Sequence, residues 1–262
     1  MKSYDKKIKQ LMKLYEDAEQ RLIQIITRKT VKGQVTDFYA SLLKQVQQEL
    51  LLVQLASARL SKDMVKDLYL EAYEKANRAL QMDISDSFAS LHTDAINILT
   101  ENLVNNFAEV NNMVGRQIED TLRDIGLTKA STKFATGQTI KEMQKELKVK
   151  LVDEGIGGIL AKNGRVIPYK TYANLLARSI VAETQNTSTM NVAKEYDHDL
   201  VKMSYHRTSC PVCAKYEGKI YSLSGKSDKY PYLKTIEGFR KGYNNIHPNC
   251  RHRVGVYVEK YN

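Results

Sequence analysis

The N-terminal part of the chain repeats apolar residues at the spacing of an α-helix. In the first stretch an apolar residue recurs every three or four positions, which places one stripe on one helix face: Ile8, Leu11, Tyr15, Ala18, Leu22 and Ile25. Gly33 is expected to end this helix. A second stripe has the same spacing: Tyr39, Leu42, Val46, Leu50 and Val53. No Pro occurs before about residue 123, so long helices are permitted here.

Two further amphipathic helices are expected in the same region. Ser61 is a suitable N-cap for a third helix, and Ser85 or Asp86 for a fourth. The apolar positions of these two helices are Val65, Leu68, Tyr73, Leu91, Ile98 and Val104. His92 is expected to be a surface or hydrogen-bonded histidine rather than a metal ligand. The pattern predicts antiparallel helices that pack their stripes together, and docking of the stripes onto a large oligomer stays open as an alternative.

The pattern changes after Gly126. Thr139 and Glu142 fit a capping box, so a helix is predicted over about 140–153. The pair at 163–164, Asn-Gly, lies between two short apolar pairs and is typical of a type I′ hairpin turn, because both residue types tolerate positive φ.

A long helix is predicted from about residue 169 to residue 196. On it, Glu183 lies near Arg178; a catalytic carboxylate is one interpretation, and a helical salt-bridge face is the simpler one. Farther along the chain, three segments have the alternation and the β-branched or Tyr content of strands: 200–205, 219–221 and 253–258. Residues 224–231 carry Gly, Ser, Asp and Pro and are predicted to be a loop.

Charge is concentrated at the C-terminal end. The chain has 262 residues and 40 Lys+Arg against 30 Asp+Glu, a net charge of +10. From residue 201 onward there are 12 basic and 4 acidic residues, so this segment carries +8. The composition excludes fibrous and wholly disordered proteins, and no apolar run approaches the roughly 18 residues of a membrane span. No signal peptide is recognised at the N-terminus, so we expect synthesis in a reducing compartment.

The C-terminal segment also contains the strongest chemical signal. Cys210 and Cys213 are separated by two residues, and His247-Pro-Asn-Cys250 follows after 33 intervening residues. Two thiolates in a tight turn can bind one ion together, and a second pair brought back by the fold completes a tetrahedral site. Zn²⁺ suits such S₃N sets, because thiolate is a soft ligand and zinc imposes no other geometry. The predicted structural zinc ligands are Cys210, Cys213, His247 and Cys250.

Several alternatives to this site stay open. His252 and His206 compete with His247 for the imidazole position. A Cys-x-x-Cys redox motif needs a thioredoxin-like βαβ context, a disulfide conflicts with the reducing compartment and the odd number of cysteines, and an iron–sulfur cluster needs a fourth Cys. Unliganded core cysteines are the remaining interpretation. Four protein ligands leave no open metal position, so we predict no catalytic residues.

Together these features predict an α+β fold that is mostly α. An N-terminal helical bundle is expected over residues 1–126, and a helical and hairpin connector with the long helix over 127–199. Residues 200–262 are expected to form a small, zinc-stapled, β-containing C-terminal module that is basic. Basic residues and cysteines are concentrated after residue 200, and this change of composition along the chain predicts separate modules.

Several of these segments together resemble tailed-bacteriophage minor capsid proteins of the head-morphogenesis type, related to the F protein of phage Mu. They are Ala177–Ser179 and Glu183 on the long helix, His206–Cys213, Glu217–Tyr221 and His247–His252. The most specific part is the Cys-x-x-Cys followed by His-Pro-Asn-Cys-Arg-His. The resemblance covers roughly residues 169–262.

The resemblance implies a minor protein of the phage head, bound at or near the portal and acting in head assembly, DNA packaging or DNA delivery. The implied partners are the portal and/or the major capsid protein and, given the charge, packaged DNA. The implied location is the virion, with assembly in the host cytoplasm; no membrane, small-molecule substrate or enzymatic activity is expected.

The basic segment independently suits a polyanion, because Lys and Arg displace counterions from phosphates without reading sequence. The residues predicted to contact nucleic acid are Arg207, Arg240, Lys241, Arg251 and Arg253. An ordinary solvated basic face is the alternative. Two other functions remain: a zinc-supported nuclease of the HNH or treble-clef kind, and a free nucleic-acid-binding zinc protein without a role in the virion.

Overall fold

A computed structural model describes residues 3–27, 35–83, 89–124, 149, 159–160 and 166–259. Apart from residue 149, the predictions for Gly33, Ser85, Asp86, the helix over 140–153 and the 163–164 turn lie outside these residues. The long helices are α1 Ser3–Thr27, α2 Val35–Leu80, α3 Ser90–Arg123 and α4 Tyr169–Glu195. The shorter elements are β1 Ile159–Leu160, β2 Val166–Ile167, β3 Leu200–Met203, α5 Pro211–Ala214, β4 Ile220–Ser222, a 3₁₀ helix Leu233–Thr235, α6 Glu237–Arg240 and β5 Val254–Val256.

The predicted fold class is confirmed: the described chain is mostly helical, with a small antiparallel sheet near its C-terminus. The residues form two compact units, each built from separated stretches. The first unit comprises Met1–Lys7, Ser61–Leu103 and Leu175–Asn262, and the second comprises Ile8–Leu60 and Val104–Asn174. No described helix is both long and apolar enough to cross a membrane.

The second unit has an aromatic core. Tyr15 of α1 is fully buried, 5.3 Å from the ring of Phe107 and 4.9 Å, edge to face, from the ring of Tyr169. The Tyr169 hydroxyl donates a hydrogen bond to the side-chain oxygen of Asn111 on α3. The core therefore gives this buried phenol the partner that a hydroxyl needs away from water.

The first unit contains a buried polar network instead. His92 has no exposed side-chain surface; its Nδ1 lies 2.8 Å from the Tyr69 hydroxyl and its Nε2 lies 2.9 Å from Glu195 Oε2. The Asn191 amide donates to the same hydroxyl at 3.0 Å. These bonds join α2, α3 and α4. His92 was predicted to be either a surface or a hydrogen-bonded histidine, and it is the hydrogen-bonded one.

The C-terminal sheet has the order β4-β3-β5, and both pairings are antiparallel. On the central strand, Val201 lies opposite Tyr221 on one side and Val256 on the other. Val201 and Met203 are buried while Lys202 between them is exposed, as the alternation predicted. The same core contains Cys213 and Cys250, so the sheet and the cysteine loops share one hydrophobic cluster.

Two predictions about the helices are wrong. Ser61 does not begin a helix, because α2 runs without a break from residue 35 to residue 80. Ser57 and Ser61 are completely buried within it, and the Ser57 hydroxyl donates to the Gln54 carbonyl at 3.0 Å. Serine is only a modest helix former, and burial of the helix face outweighs its capping preference.

The predicted stripe of α3 is also out of phase. Leu91 and Ile98 are exposed, and Val104 is half-buried. The buried positions are Leu99, Leu103, Phe107, Val110, Val114 and Ile118. On α1 the stripe is confirmed from Ile8 to Leu22, and Ile26 rather than Ile25 continues it.

The hairpin strands lie where the sequence placed them, between residues 159 and 167. Leu160 pairs with Val166. Ile159 pairs with Ile167.

Candidate metal centre

The first two cysteines lie around the start of α5. Cys210 is the extended N-cap residue, and Pro211 occupies the first turn, where the missing N–H is not needed. The backbone N–H of Ala214 donates to the Cys210 carbonyl at 3.0 Å. Cys213, one turn later, points into the hydrophobic core. The Cys-x-x-Cys spacing thus places two thiols beside one short helix.

The second half of the centre is a loop, residues 244–250, held by α4. The backbone N–H of Asn249 donates to Ser179 Oγ at 3.0 Å, and the Asn186 amide donates to the Asn244 carbonyl at 2.8 Å. Asn244 and Asn249 both have positive φ, 46° and 62°, which Asn tolerates better than most residues. The Ser of the Ala-Arg-Ser segment therefore anchors the His-Pro-Asn-Cys loop.

The fold brings five sulfur and nitrogen atoms together from these two halves. Cys213 Sγ lies 2.8 Å from His247 Nε2 and 3.6 Å from Cys250 Sγ. Cys210 Sγ lies 3.6 Å from His247 Nε2, and Cys250 Sγ lies 3.3 Å from His252 Nδ1. Among the described residues, the mutually close donor atoms form two trios that share Cys213, within 4.8 Å in each. One trio adds Cys210 and His247, the other Cys250 and His252.

Each of these two histidines has a partner for its other nitrogen. His247 Nδ1 lies 2.7 Å from the carbonyl of Pro248, and His252 Nε2 lies 2.7 Å from Glu217 Oε1. If these nitrogens carry the proton, the remaining nitrogen of each ring presents a lone pair to the thiols. His206 belongs to neither trio; its Nε2 lies 2.8 Å from Ser204 Oγ.

The two thiols of the Cys-x-x-Cys have different electrostatic environments. The backbone N–H groups of Cys213 and Val212, at the start of α5, lower the pKa of the Cys210 thiol to about 7. Burial, followed by the neighbouring Cys250 thiol, raises the pKa of Cys213. Buried thiols so close to one another become thiolates together only beside a cation. The donor set can therefore hold a metal ion.

A family model described as phage minor capsid protein 2 matches residues 2–262. The chain belongs to this family. The match confirms the resemblance to phage minor capsid proteins and extends it over the N-terminal helices, beyond the roughly 169–262 that the motifs covered. No curated protein and no solved structure gives a significant match.

Membership makes the chain a minor capsid protein, a structural component of the virion. Among its predicted nucleic-acid contacts, Arg207, Arg240 and Arg251 are exposed. Lys241 is exposed too and forms an ion pair with Glu237 at 2.6 Å.

Arg253, the remaining predicted contact, is engaged within its own chain. Its guanidinium donates to Gln185 Oε1 at 2.7 Å, to the His252 carbonyl at 2.8 Å and to the Cys250 carbonyl at 3.1 Å. These bonds tie the end of the cysteine loop to α4. Arg253 is therefore a structural residue beside the cysteine and histidine cluster of this minor capsid protein, while the exposed arginines stay candidates for phosphate contact.

Glu217 is the residue of this centre that spacing did not identify. Its Oε1 accepts bonds from the backbone N–H groups of His206 and Thr208 at 3.0 and 3.2 Å, besides the contact with His252. Burial acts against ionisation, but the bonds from His252, His206 and Thr208 outweigh it and lower the pKa of this carboxyl. The segments that carry the family resemblance include Glu217, yet nothing in their spacing indicates a contact with His252.

Glu183 also lies in an unusual environment. Burial raises the pKa of its carboxyl to about 7. Ser179 and Asn186, four residues before and three after it on α4, both bond the 244–250 loop, so Glu183 shares the face that this loop covers. Glu183 therefore lies on a covered face of α4, and this burial disfavours the charged form of its carboxyl.

Proposed function

We propose that this minor capsid protein is a structural component of the phage head at or near the portal, where it acts in head assembly, DNA packaging or DNA delivery. Its N-terminal helices bind the portal or the major capsid protein, and its basic C-terminal module faces packaged DNA. The observation that carries the proposal is the family match over residues 2–262, together with a module whose core includes a cysteine and histidine cluster.

The metal of this cluster is a structural Zn²⁺. Three thiols and an imidazole form the S₃N set that zinc prefers, and with four protein ligands no position is left for a reacting water. The sequence prediction takes His247 as that imidazole, with Cys210, Cys213 and Cys250. Zinc here stabilises a module whose sheet has three short strands, as a disulfide stabilises a small secreted domain.

Support for binding by the helical part comes from exposed leucines on α2. Leu51, Leu52 and Leu55 are 55%, 61% and 62% exposed and adjoin one another on consecutive turns. Single exposed leucines are ordinary, but a cluster is typical of a protein-binding surface. In a minor capsid protein, the portal or the major capsid protein is the fitting partner.

A role without catalysis is supported by the use of the histidines. His247 and His252 direct a nitrogen toward thiols, and His206 bonds Ser204. A nuclease of the HNH kind needs a histidine that is available as a general base, usually beside a second metal. The arrangement therefore favours a structural protein over the nuclease alternative.

The test is quantitative mass spectrometry of gradient-purified precursor and mature particles, with zinc measured on the purified protein. We expect a few copies per particle and roughly one zinc per chain. Absence from both kinds of particle would refute the head-protein role. A metal-free protein whose circular dichroism and melting do not change on adding zinc would refute the structural metal.

DNA contact is tested separately by binding to duplex DNA as a function of salt. The double variant Arg207→Ala, Arg251→Ala should bind every DNA sequence more weakly. The slope of log K against log salt should become less steep by about two, since each phosphate contact contributes roughly 0.9 to it. Lys229→Ala is the matched control, because Lys229 is already paired with Glu259 at 2.8 Å. Equal losses in the two variants would argue against a phosphate site at the arginines.

A further inference from the structure

We propose that His252 rather than His247 is the imidazole ligand of the metal, and that Glu217 is the positioning residue that orients it. The inference rests on the proposed zinc site and changes its predicted ligand set to Cys210, Cys213, Cys250 and His252. It arises from three features of the cluster: the spacing of its donor atoms, the burial of each histidine, and the network around Glu217.

The donor spacing favours the trio that contains His252. With Zn–S of about 2.3 Å and Zn–N of about 2.0–2.1 Å, ligand atoms of a tetrahedral site lie about 3.5 Å apart for S and N and about 3.8 Å for two S atoms. Cys250 Sγ and His252 Nδ1 are 3.3 Å apart, and Cys213 Sγ and Cys250 Sγ are 3.6 Å apart. Both distances are close to those of two ligands on one ion; Cys210 belongs to the other trio, and its Sγ must move toward this one to complete the set.

The contact of His247 with Cys213 is shorter than a shared ion requires. Its Nε2 is 2.8 Å from Cys213 Sγ, well below the roughly 3.5 Å between S and N ligands of one zinc, although its 3.6 Å from Cys210 Sγ would fit that spacing. His247 is also half-buried, whereas His252 is buried. We therefore place His247 outside the ligand set.

The burial of His252 and its acceptor fits a ligand. Its side chain is 3% exposed and that of Glu217 is 6% exposed, with 2.7 Å between Nε2 and Oε1. A metal-binding histidine usually donates its other N–H to a carboxylate, a backbone carbonyl or water, which fixes the tautomer and ring orientation. Glu217 thus leaves Nδ1 of His252 as the metal-binding nitrogen. Nδ1 of His247 lies instead against the carbonyl of its own neighbour, Pro248.

Glu217 also couples the two halves of the centre. The backbone N–H of Thr208 donates to its carboxylate, and Thr208 Oγ1 accepts the N–H of Cys210 at 3.1 Å. One carboxylate therefore fixes both the segment that leads into the Cys-x-x-Cys and the imidazole after Cys250. Removing its charge should loosen the metal without removing a ligand.

The experiment uses the full chain with Co²⁺ as a spectroscopic substitute for zinc, and competition with a chromophoric chelator for affinity. Wild type should give intense tetrahedral d–d bands and thiolate charge-transfer bands. His247→Ala should keep this spectrum, whereas His252→Ala should lose the tetrahedral bands. Glu217→Gln keeps an oxygen for both backbone N–H groups but not the charge; it should keep the spectrum and lower metal affinity by about 10–100-fold.

A second readout covers the case in which His252→Ala does not fold. In ¹⁵N spectra of the wild-type histidines, zinc should shift Nδ1 of His252 and leave both nitrogens of His247 unligated. Loss of the cobalt bands in His247→Ala, or a zinc shift on His247 Nε2, would overturn the ligand assignment alone. Wild-type protein that binds neither Co²⁺ nor Zn²⁺ would overturn the zinc proposal itself.

Discussion

Replacing Gly238 with alanine should destabilise the C-terminal module through a single steric contact. Gly238 is buried in α6, and a Cβ built on it would lie 1.9 Å from the carbonyl oxygen of Asn245 and 2.9 Å from that of Ile246. Carbon and oxygen normally approach no closer than about 3.3 Å, so the Asn245 carbonyl would have to retreat by more than about 1 Å. It belongs to backbone, which cannot rotate away as a side chain can.

The expected magnitude follows from opposing effects. Overpacking of this kind costs about 1–3 kcal/mol, and a clash with backbone belongs at the upper end. Alanine recovers about 0.4–1 kcal/mol by restricting the unfolded chain. We expect a net loss of about 2 kcal/mol, or a Tm lower by about 4–8 °C. Because Cys250 follows Asn245 in the same loop, metal affinity should fall as well.

Gly255→Ala is the matched control. Gly255 lies on β5, and a Cβ there meets nothing within 4 Å. This variant should stay within about 0.5 kcal/mol of the wild type or gain slightly. Denaturant unfolding and chelator competition on both variants give the comparison. If Gly238→Ala unfolds at the same denaturant concentration as Gly255→Ala, the steric reasoning is wrong.

Three other results are expected. His92→Phe should lower the free energy of unfolding by about 1–3 kcal/mol, because it removes a buried partner of the Tyr69 hydroxyl; an unchanged denaturation midpoint would contradict this. Folding raises the pKa of Glu183 from 4.5 to about 7, so its burial should cost stability increasingly as pH rises through that window; Glu183→Gln should remove this loss, seen as a Tm advantage at pH 8 that vanishes near pH 4. Leu51→Lys with Leu55→Lys should reduce the number of copies in purified particles at constant Tm, and unchanged copy number would argue against binding through this face.

Local patterns predicted the elements that depend on local spacing. The stripe from Ile8 to Leu22, the long helix from Tyr169 and the strand at Val201 were predicted because each repeats with the period of its own secondary structure. The cysteine and histidine motif was recognisable for a similar reason, since two thiols in one turn meet whatever surrounds them. The fold class and the family resemblance follow from such short-range signals.

Tertiary packing determined which of the possible faces of a helix is buried. On α3 more than one apolar stripe is available, and only contact with other helices buries Leu99 and Phe107 while leaving Ile98 in water. Ser61, a residue type that favours helix caps, lies inside α2 because the helix face that carries it is buried. These outcomes depend on residues far away in sequence, which a window along the chain does not contain.

The same division applies to the metal centre. The sequence by itself was enough to predict Cys210, Cys213 and Cys250, with a histidine, as ligands of one ion. Only the tertiary structure placed Glu217 against His252, 35 residues away, and engaged Arg253 with α4. Ligand types are a property of residue chemistry, whereas the partner of each imidazole is a long-range contact that exists only after the sheet and α4 have packed around the loop.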